Sequence, residues 1–493
     1  MNINSKDIII IGSGLGGLSA ALRLASKGHN VKILEKNSTA GGRLNQFREK
    51  GFTFDLGPSF MSMTFEFDDL FRECGIKNPL KLHSLDPLYD VYFRDRKEPF
   101  RIRKDMNKLA KEFKDIEPDF ERKAEAYLKK AGEFYHDTED KVIRKNFSNI
   151  FDYFLKISGV PFKHLPYLKK QLWTLLDETF DSHEVKVIFS LVAFFLGSTP
   201  FKTPSIYSLL NYTEIKHNGY WAVEGGMYRI VETIIDELNT LGVEIIYNTE
   251  IIDIANYNGT LNTVKDTAGK EWKADTFIVN ADAASFRGKV LNRNKYTEKK
   301  LDSMEWSLAP FTVYLGLNKK VPGLYHHNYF LGNDFIKYAD NIFTSSVIPS
   351  KPYYYVNMAS YSDQSCAPEG CENLFILCPV PDRRFKPNWD DKEAVAEDII
   401  NDLSKRINFD IEESTIVKKI LTPVDWESMF NLYRGSGLGL SHGMKQIGGF
   451  RPSNKDEVFP NLFYVGASTV PGTGLPMVLI SSKLVTERIT NEL

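Results

Sequence analysis

The first regular pattern in the chain is the β-branched run Ile8-Ile9-Ile10-Ile11, continuous rather than alternating, as in a strand buried on both faces of a parallel sheet. Apolar Leu15, Leu18, Leu22 and Ala25 follow at helical spacing, the helix stops near Gly28, and Val31-Lys32-Ile33-Leu34 opens a second strand. This predicts a βαβ unit. Far downstream, Met227, Ile230, Val231, Ile234, Ile235, Leu238 and Leu241 mark one helical face closed by Gly242. Strands are expected at Val243-Glu244-Ile245-Ile246, Glu250-Ile251-Ile252, Ile278-Val279 and Leu462-Phe463-Tyr464-Val465, the last followed by a helix through Arg488.

Two stretches differ from this α/β pattern. Residues 105–215 read as mainly helical, with aromatic, lysine-rich segments such as Phe151-Asp152-Tyr153-Phe154-Leu155-Lys156 and Tyr167-Leu168-Lys169-Lys170. Residues 301–432 alternate as strands do at Phe311-Thr312-Val313-Tyr314-Leu315 and Tyr353-Tyr354-Tyr355-Val356, which predicts a sheet over one side of a site. The best candidate for a bilayer span, Val185 to Leu196, is interrupted by Lys186 and falls far short of the roughly 20 residues required. No transmembrane helix is expected.

The turn between the first strand and helix is Gly12-Ser13-Gly14-Leu15-Gly16-Gly17, a G-x-G-x-x-G pattern in its proper context. Gly12 permits the tight turn, Gly14 lets backbone approach a pyrophosphate, and Gly17 brings helix and strand together while the helix N-terminus stabilises phosphate charge. Glu35, ending the second strand, can accept a ribose hydroxyl, which disfavours a 2′-phosphate. Gly41-Gly42-Arg43 and Asp55-Leu56-Gly57-Pro58-Ser59 extend this site beyond what a simple NAD dehydrogenase needs, Arg43 offering a planar donor fork. At the other end, Gly466 and Pro471-Gly472-Thr473-Gly474-Leu475-Pro476 aim a second helix N-terminus at a ligand, where it would stabilise negative charge on a reduced flavin. Gly435-Ser436-Gly437-Leu438-Gly439 lacks the preceding strand and following amphipathic helix of a second nucleotide motif, so NADPH is not expected.

Composition narrows the picture further. At 493 residues the chain exceeds the size of one hydrophobic core and predicts two or three units. Its 62 Lys+Arg balance 64 Asp+Glu, so nothing favours nucleic acid. Cys74, Cys366, Cys371 and Cys378 form no CxxC pair and read as reduced thiols, and no HxxxH spacing points to a metal. The segment before Asp7 has no signal-peptide pattern, so secretion is not expected.

These motifs resemble the bacterial phytoene-desaturase-type carotenoid desaturases, within the wider group of flavin amine oxidases and Rab escort proteins. The resemblance covers most of the chain, including Trp221-Ala222-Val223-Glu224-Gly225-Gly226-Met227, Asn280-Ala281-Asp282 and Tyr433-Arg434-Gly435-Ser436-Gly437. Phe450-Arg451-Pro452 with Gly466 and the Pro471 to Pro476 stretch is more particular to the desaturases. It implies an α/β fold: a Rossmann-like FAD-binding domain from residues 1–104, 216–300 and 433–493, a helical substrate and membrane-associated region at 105–215, and a β-rich substrate region at 301–432. It implies non-covalent FAD held by Gly12, Ser13, Gly14, Leu15, Gly16, Gly17, Glu35, Lys36, Gly42, Arg43, Gly57, Pro58 and Ser59. Ile251 and Ile252 would pack backbone against adenine, with Asp282, Gly466, Gly474, Leu475 and Met477 completing the site. The family pattern has a small residue where Met477 stands and histidine or another residue where Val470 stands, so a different surface above the flavin ring is expected.

Desaturation would remove a hydride equivalent and a proton from adjacent carbons, the protein mainly positioning the C–H bond at roughly 3–3.5 Å from its acceptor. Glu224, His217 and Tyr220 are the candidate proton acceptors, set against a plain reading as loop or strand-end residues. As a whole the chain resembles the enzymes that 3,4-desaturate a 1-hydroxycarotenoid such as hydroxy-γ-carotene more than the phytoene desaturases, with phytoene or diapophytoene desaturation as the alternative. A flavin amine oxidase and a non-catalytic prenyl-group escort are the readings from other classes. The resemblance further implies a peripheral place on the cytoplasmic face of the membrane, a carotenoid substrate, and oxygen or a quinone as electron acceptor.

Overall fold

The computed structural model describes residues 5–257, 259–332, 334–349 and 351–491. A five-stranded, all-parallel sheet runs in the order Leu462–Tyr464, Thr276–Val279, Asp7–Ile11, Asn30–Leu34, Glu244–Ile246. Its central strand explains the uninterrupted isoleucine run. Ile8 and Ile10 pack under the helices Leu15–Ala25 and Arg229–Thr240, whereas Ile9 and Ile11 face Ile251, Leu261 and Val264. Those last residues belong to a three-stranded antiparallel layer, Ile251–Tyr257, Thr260–Asp266 and Glu271–Lys273, which covers the opposite face. The helix Leu15–Ala25 also packs against the C-terminal helix Leu475–Asn491, so both ends of the chain meet at one edge of the site. Leu241, counted on the buried face of the helix before it, is the C-cap residue and turns outward, 43% exposed.

The second sheet has seven strands in the order Thr415–Leu421, Ala309–Leu317, Glu372–Val380, Tyr354–Asn357, His327–Phe330, Tyr89–Tyr92, Phe100–Ile102. Pairing is antiparallel except between His327–Phe330 and Tyr89–Tyr92. Alternation sorts its side chains. Phe311, Val313 and Leu315 pack under the helix Lys392–Ile407, while Tyr314, Tyr355 and Phe375 enter the core shared with the helical region, Tyr355 reaching the cavity described below. The strands Tyr89–Tyr92 and Phe100–Ile102 lie within the 1–104 stretch expected in the cofactor unit, yet they extend this sheet. Tyr89, Val91, Phe100 and Ile102 are all buried in its aromatic core, which supplies the reason.

Between residues 106 and 217 the chain forms short helices, the longest being Phe120–Thr138. The apolar run 185–196 is split between the helices His183–Ser190 and Val192–Phe195, whose side chains enter the interior of the protein. Among the described residues, no helix is long and apolar enough to cross a membrane.

Candidate functional site

One cavity of about 800 Å³ connects the glycine turn of the parallel sheet with the aromatic face of the seven-stranded sheet. On its wall lie Gly12, Gly14, Leu15, Gly16, Glu35, Lys36, Gly42, Arg43, Gly57, Pro58 and Ser59 from the first part of the chain. Ile251, Ile252, Asp282, Gly466, Gly474, Leu475 and Met477 join them from the later parts. Ser13 and Gly17 are behind this wall. Ser13 is fully buried and its Oγ donates to Glu35 Oε2 at 2.6 Å, so it orders the turn and the acid instead of facing a ligand. Gly17 has no room for any side chain, because a Cβ would overlap the carbonyl oxygen of Gly12. Val470, where the sequence departs from the family pattern, is buried and away from the wall; Met477, the other departure, is on it.

Glu35 is engaged on both oxygens. Oε2 also accepts the Ser13 N–H at 2.8 Å, and Oε1 accepts the Asn37 N–H at 2.9 Å, leaving further lone pairs toward the cavity. The variant Glu35→Gln puts an amide donor against a backbone donor at one of these two contacts. We expect FAD affinity to fall on the order of 10- to 100-fold, since hydrogen bonds to charged groups contribute about 1.5–3 kcal/mol. A flavin fluorescence titration reads this directly, and unchanged affinity would show that the acid does not order the turn.

The turn suits a dinucleotide. Gly12 has a φ of +99°, and Gly14 caps the helix without any side-chain hydrogen bond, so the first helical N–H groups are left for a ligand. A Cβ on Gly14 would stand 2.6 Å from Asn280 Nδ2, and one on Gly16 2.5 Å from Asn280 Oδ1. The Asn280 amide thus fills the space that these glycines leave. Asp282 accepts the N–H groups of Ala284 and Ser285 and the Ser468 hydroxyl, and its burial raises its pKa. Arg43 donates from Nη1 to Gly437 O at 2.7 Å; burial lowers its pKa, and Asp282 is the countercharge acting on it. Lys36 is tied to Ser428 O and Asn431 Oδ1 on the rim. With two helix N-termini, a guanidinium and a buried acid on one wall, these residues fit FAD.

Beyond Ser59 the wall changes character. Phe60, Phe194, Phe195, Tyr220, Tyr329, Leu331 and Tyr355 face the cavity. Phe60 lies 4.8 Å from the Tyr220 ring and 5.0 Å from Phe195, centroid to centroid, and stacks on His327 at 3.9 Å. Ser59 Oγ sits 3.0 Å from Tyr355 Oη, joining the cofactor wall to this aromatic chamber.

The three candidate proton acceptors separate here. Glu224 is exposed and ion-paired with Lys81 at 3.0 Å, and His217 packs among Phe65, Tyr135 and Tyr212; neither reaches the cavity wall. Tyr220 does, and its hydroxyl donates to Glu214 at 2.8 Å. Glu214 belongs to no motif, and nothing in the local sequence distinguishes it from other helix-end acids.

Over residues 15–490 the chain matches the family described as flavin containing amine oxidoreductase. The zeta-carotene-forming phytoene desaturase of Myxococcus xanthus is 34% identical over 489 residues, covering 98% of this chain and 94% of its own length. The chain belongs to the carotenoid desaturase family. It is an FAD-dependent oxidoreductase. The carotenoid 3,4-desaturase of Haloarcula japonica is 28% identical over 506 residues, covering 100% of this chain and 99% of its own. The crystal structure of an oxidoreductase from Methanosarcina mazei shares the fold, with a TM-score of 0.64 at 17% identity over 98% of this chain and 100% of that one.

Within this desaturase-family chain, Phe450-Arg451-Pro452 has a structural role. Arg451 is buried and donates to the carbonyls of Leu440, Ser441, Gln446, Ala467 and Thr469, with burial lowering its pKa to about 10. It staples the segment after the Gly435 to Gly439 stretch onto the connection leading into the C-terminal helix. Phe450 is 51% exposed and meets Phe154 edge-on, 6.2 Å between centroids.

Proposed function

We propose that the protein introduces a C=C bond into a carotenoid, by 3,4-desaturation of a 1-hydroxycarotenoid such as hydroxy-γ-carotene. The observation that carries the reading is the cavity itself, in which a dinucleotide wall continues into a chamber of aromatic and aliphatic side chains. Such a chamber, lined mostly by aromatic and aliphatic side chains, suits a long polyene better than a polar amine. When bound, FAD supplies the two-electron acceptor. The chain's own residues, Phe60, Phe195 and Tyr329 among them, line the chamber, align the substrate along it and keep water away. The relatives named for phytoene desaturation and for carotenoid 3,4-desaturation make those the two substrates to separate.

The reading extends to location. The helix Ile150–Ile157 leaves Phe151 82%, Phe154 53% and Leu155 74% exposed, beside Phe450. It packs against the turn Glu139–Ile143, whose Glu139 and Ile143 line the cavity. A bilayer surface touching this helix would put a lipid-soluble substrate next to the chamber, with the protein on the cytoplasmic face. Oxygen or a membrane quinone then takes the electrons.

The test is to express the chain in bacteria that accumulate hydroxy-γ-carotene, lycopene or phytoene separately, and to separate the pigments chromatographically. A longer chromophore formed from hydroxy-γ-carotene alone is the expected outcome. Conversion of phytoene instead moves the substrate to the alternative, and no conversion in any background refutes the desaturase reading.

A further inference from the structure

Desaturation needs an acceptor for the proton that leaves beside the hydride. The ionisable groups on the cavity wall are mostly committed elsewhere. Glu66 and Glu139 are both paired with Arg144, Asp282 caps backbone N–H groups, and His442 Nε2 accepts the Thr473 N–H at 3.3 Å. Tyr220 remains. Its ring packs on Phe60, the residue after Ser59, and the Trp221 N–H donates to Met61 O at 2.9 Å, so the segment is fastened to the loop that carries Gly57-Pro58-Ser59.

Behind Tyr220 stands Glu214, buried, with its oxygens shared among neutral donors. Oε2 accepts the Tyr220 hydroxyl at 2.8 Å; Oε1 accepts the Tyr89 hydroxyl at 3.0 Å and Asn211 Nδ2 at 3.3 Å. The Asn211 carbonyl is itself held by the Tyr127 hydroxyl at 2.7 Å. Among the described residues, no cation pairs with Glu214. A carboxyl group without countercharge in an aromatic interior costs stability that packing alone would not retain. It also sits in the π-helical turn Thr213–His217, a backbone irregularity common at functional positions.

We propose that Tyr220 is the catalytic proton acceptor of the desaturation and that Glu214 is the positioning residue that takes the phenolic proton. The inference rests on the carotenoid desaturase reading above. Bound FAD would supply the acceptor for the hydride, and the neighbouring carbon would give its proton to Tyr220 Oη as the Tyr220 proton crosses to Glu214 Oε2. The electron pair of that second C–H bond becomes the new π bond. The charge left by hydride loss is spread along the polyene and makes that C–H strongly acidic, so a phenol backed by a carboxylate is a sufficient acceptor. The proton on Glu214 is afterwards returned to solvent.

Burial pushes the Glu214 pKa up to about 7. The titratable groups facing it are Tyr89, Tyr127, Tyr220 and Tyr329, all held protonated by burial far above this range. The accepting form is the carboxylate, so the rate of flavin reduction rises as the pH passes through about 7 and levels off above it.

The variants Glu214→Gln and Tyr220→Phe are nearly isosteric and test this in the FAD-loaded protein. Anaerobic stopped-flow with the accepted carotenoid should show flavin reduction slowed on the order of 100-fold in each, the lower range for general base catalysis. The rise near pH 7 should vanish in Glu214→Gln, with FAD content and melting temperature unchanged. Infrared difference spectra should show a protonated carboxyl band appearing on reduction of the wild type and missing in Glu214→Gln. Variants as fast as the wild type with the same pH profile would overturn the proposal while leaving the desaturase reading intact. A wild type that binds FAD and is reduced by no carotenoid overturns both.

Discussion

Gly17→Ala is expected to give a chain that no longer holds flavin. The added methyl would overlap the carbonyl oxygen of Gly12 and stand 3.2 Å from both Asn280 Cβ and Ile10 Cγ2, so it is caught between turn and strand. None of these atoms is the far end of a flexible side chain. The helix Leu15–Ala25 must therefore lift from the strand Asp7–Ile11, carrying away the N–H groups that receive the phosphates. Overpacking of this kind costs about 1–3 kcal/mol of stability. Because the displacement falls on the phosphate turn, FAD affinity should drop by more than about 100-fold, equivalent to roughly 2.7 kcal/mol. Gly28→Ala is the control: its φ of +87° makes the change strained, but nothing lies within 4 Å of the new methyl. That variant should lose about 1 kcal/mol of stability and keep its flavin. Flavin absorbance after gel filtration distinguishes the two, and a yellow Gly17→Ala protein would contradict the account of the turn.

The second large effect concerns the helix Ile150–Ile157. Replacing Phe151 and Leu155 together by Asp should reduce binding to liposomes by about 100-fold or more, because burying each such side chain in an apolar phase contributes about 1.5–3 kcal/mol. The fold should be unaffected, since the two side chains are 82% and 74% exposed and support no core. Co-sedimentation with liposomes, alongside FAD content and melting temperature, checks both halves of this prediction. Equal sedimentation of variant and wild type would contradict the proposed contact of this helix with a bilayer.

The cofactor half of the site was largely legible in the sequence because its chemistry is local. A glycine turn, a buried strand and an acid at the next strand end are each written within a few residues, and the isoleucine run declares that both faces of its strand are covered. The seven-stranded sheet was harder to read. Tyr89–Tyr92 and Phe100–Ile102 are short, and the hairpin they form is assigned to the sheet only by the pairing of Tyr89–Tyr92 with His327–Phe330, more than two hundred residues away. Ser13 shows the same limit at smaller scale, since a residue inside the motif turns its side chain to Glu35 and away from the cavity.

The acid beside the chamber was out of reach for a different reason. Glu214 gains its meaning from Tyr89, Asn211 and Tyr220, which the fold gathers from the seven-stranded sheet and the helical insertion. His217 and Glu224 flank Tyr220 in sequence, and the strand Trp221–Val223 that follows it sends Glu224 outward to Lys81. Proximity along the chain therefore named three candidates, of which the fold brings Tyr220 alone to the cavity wall, and it could not supply the partner of that residue.

The central claim is that the dinucleotide wall and the aromatic chamber act on one carotenoid, and anaerobic flavin bleaching tests it most directly. FAD-loaded protein would be mixed with liposomes carrying hydroxy-γ-carotene, lycopene or phytoene, or with an aliphatic amine, and the flavin absorbance followed together with product chromatography. The account predicts bleaching with formation of a longer polyene from the hydroxylated substrate and none with the amine. Bleaching by the amine alone, or no bleaching by any carotenoid while FAD remains bound, would contradict it.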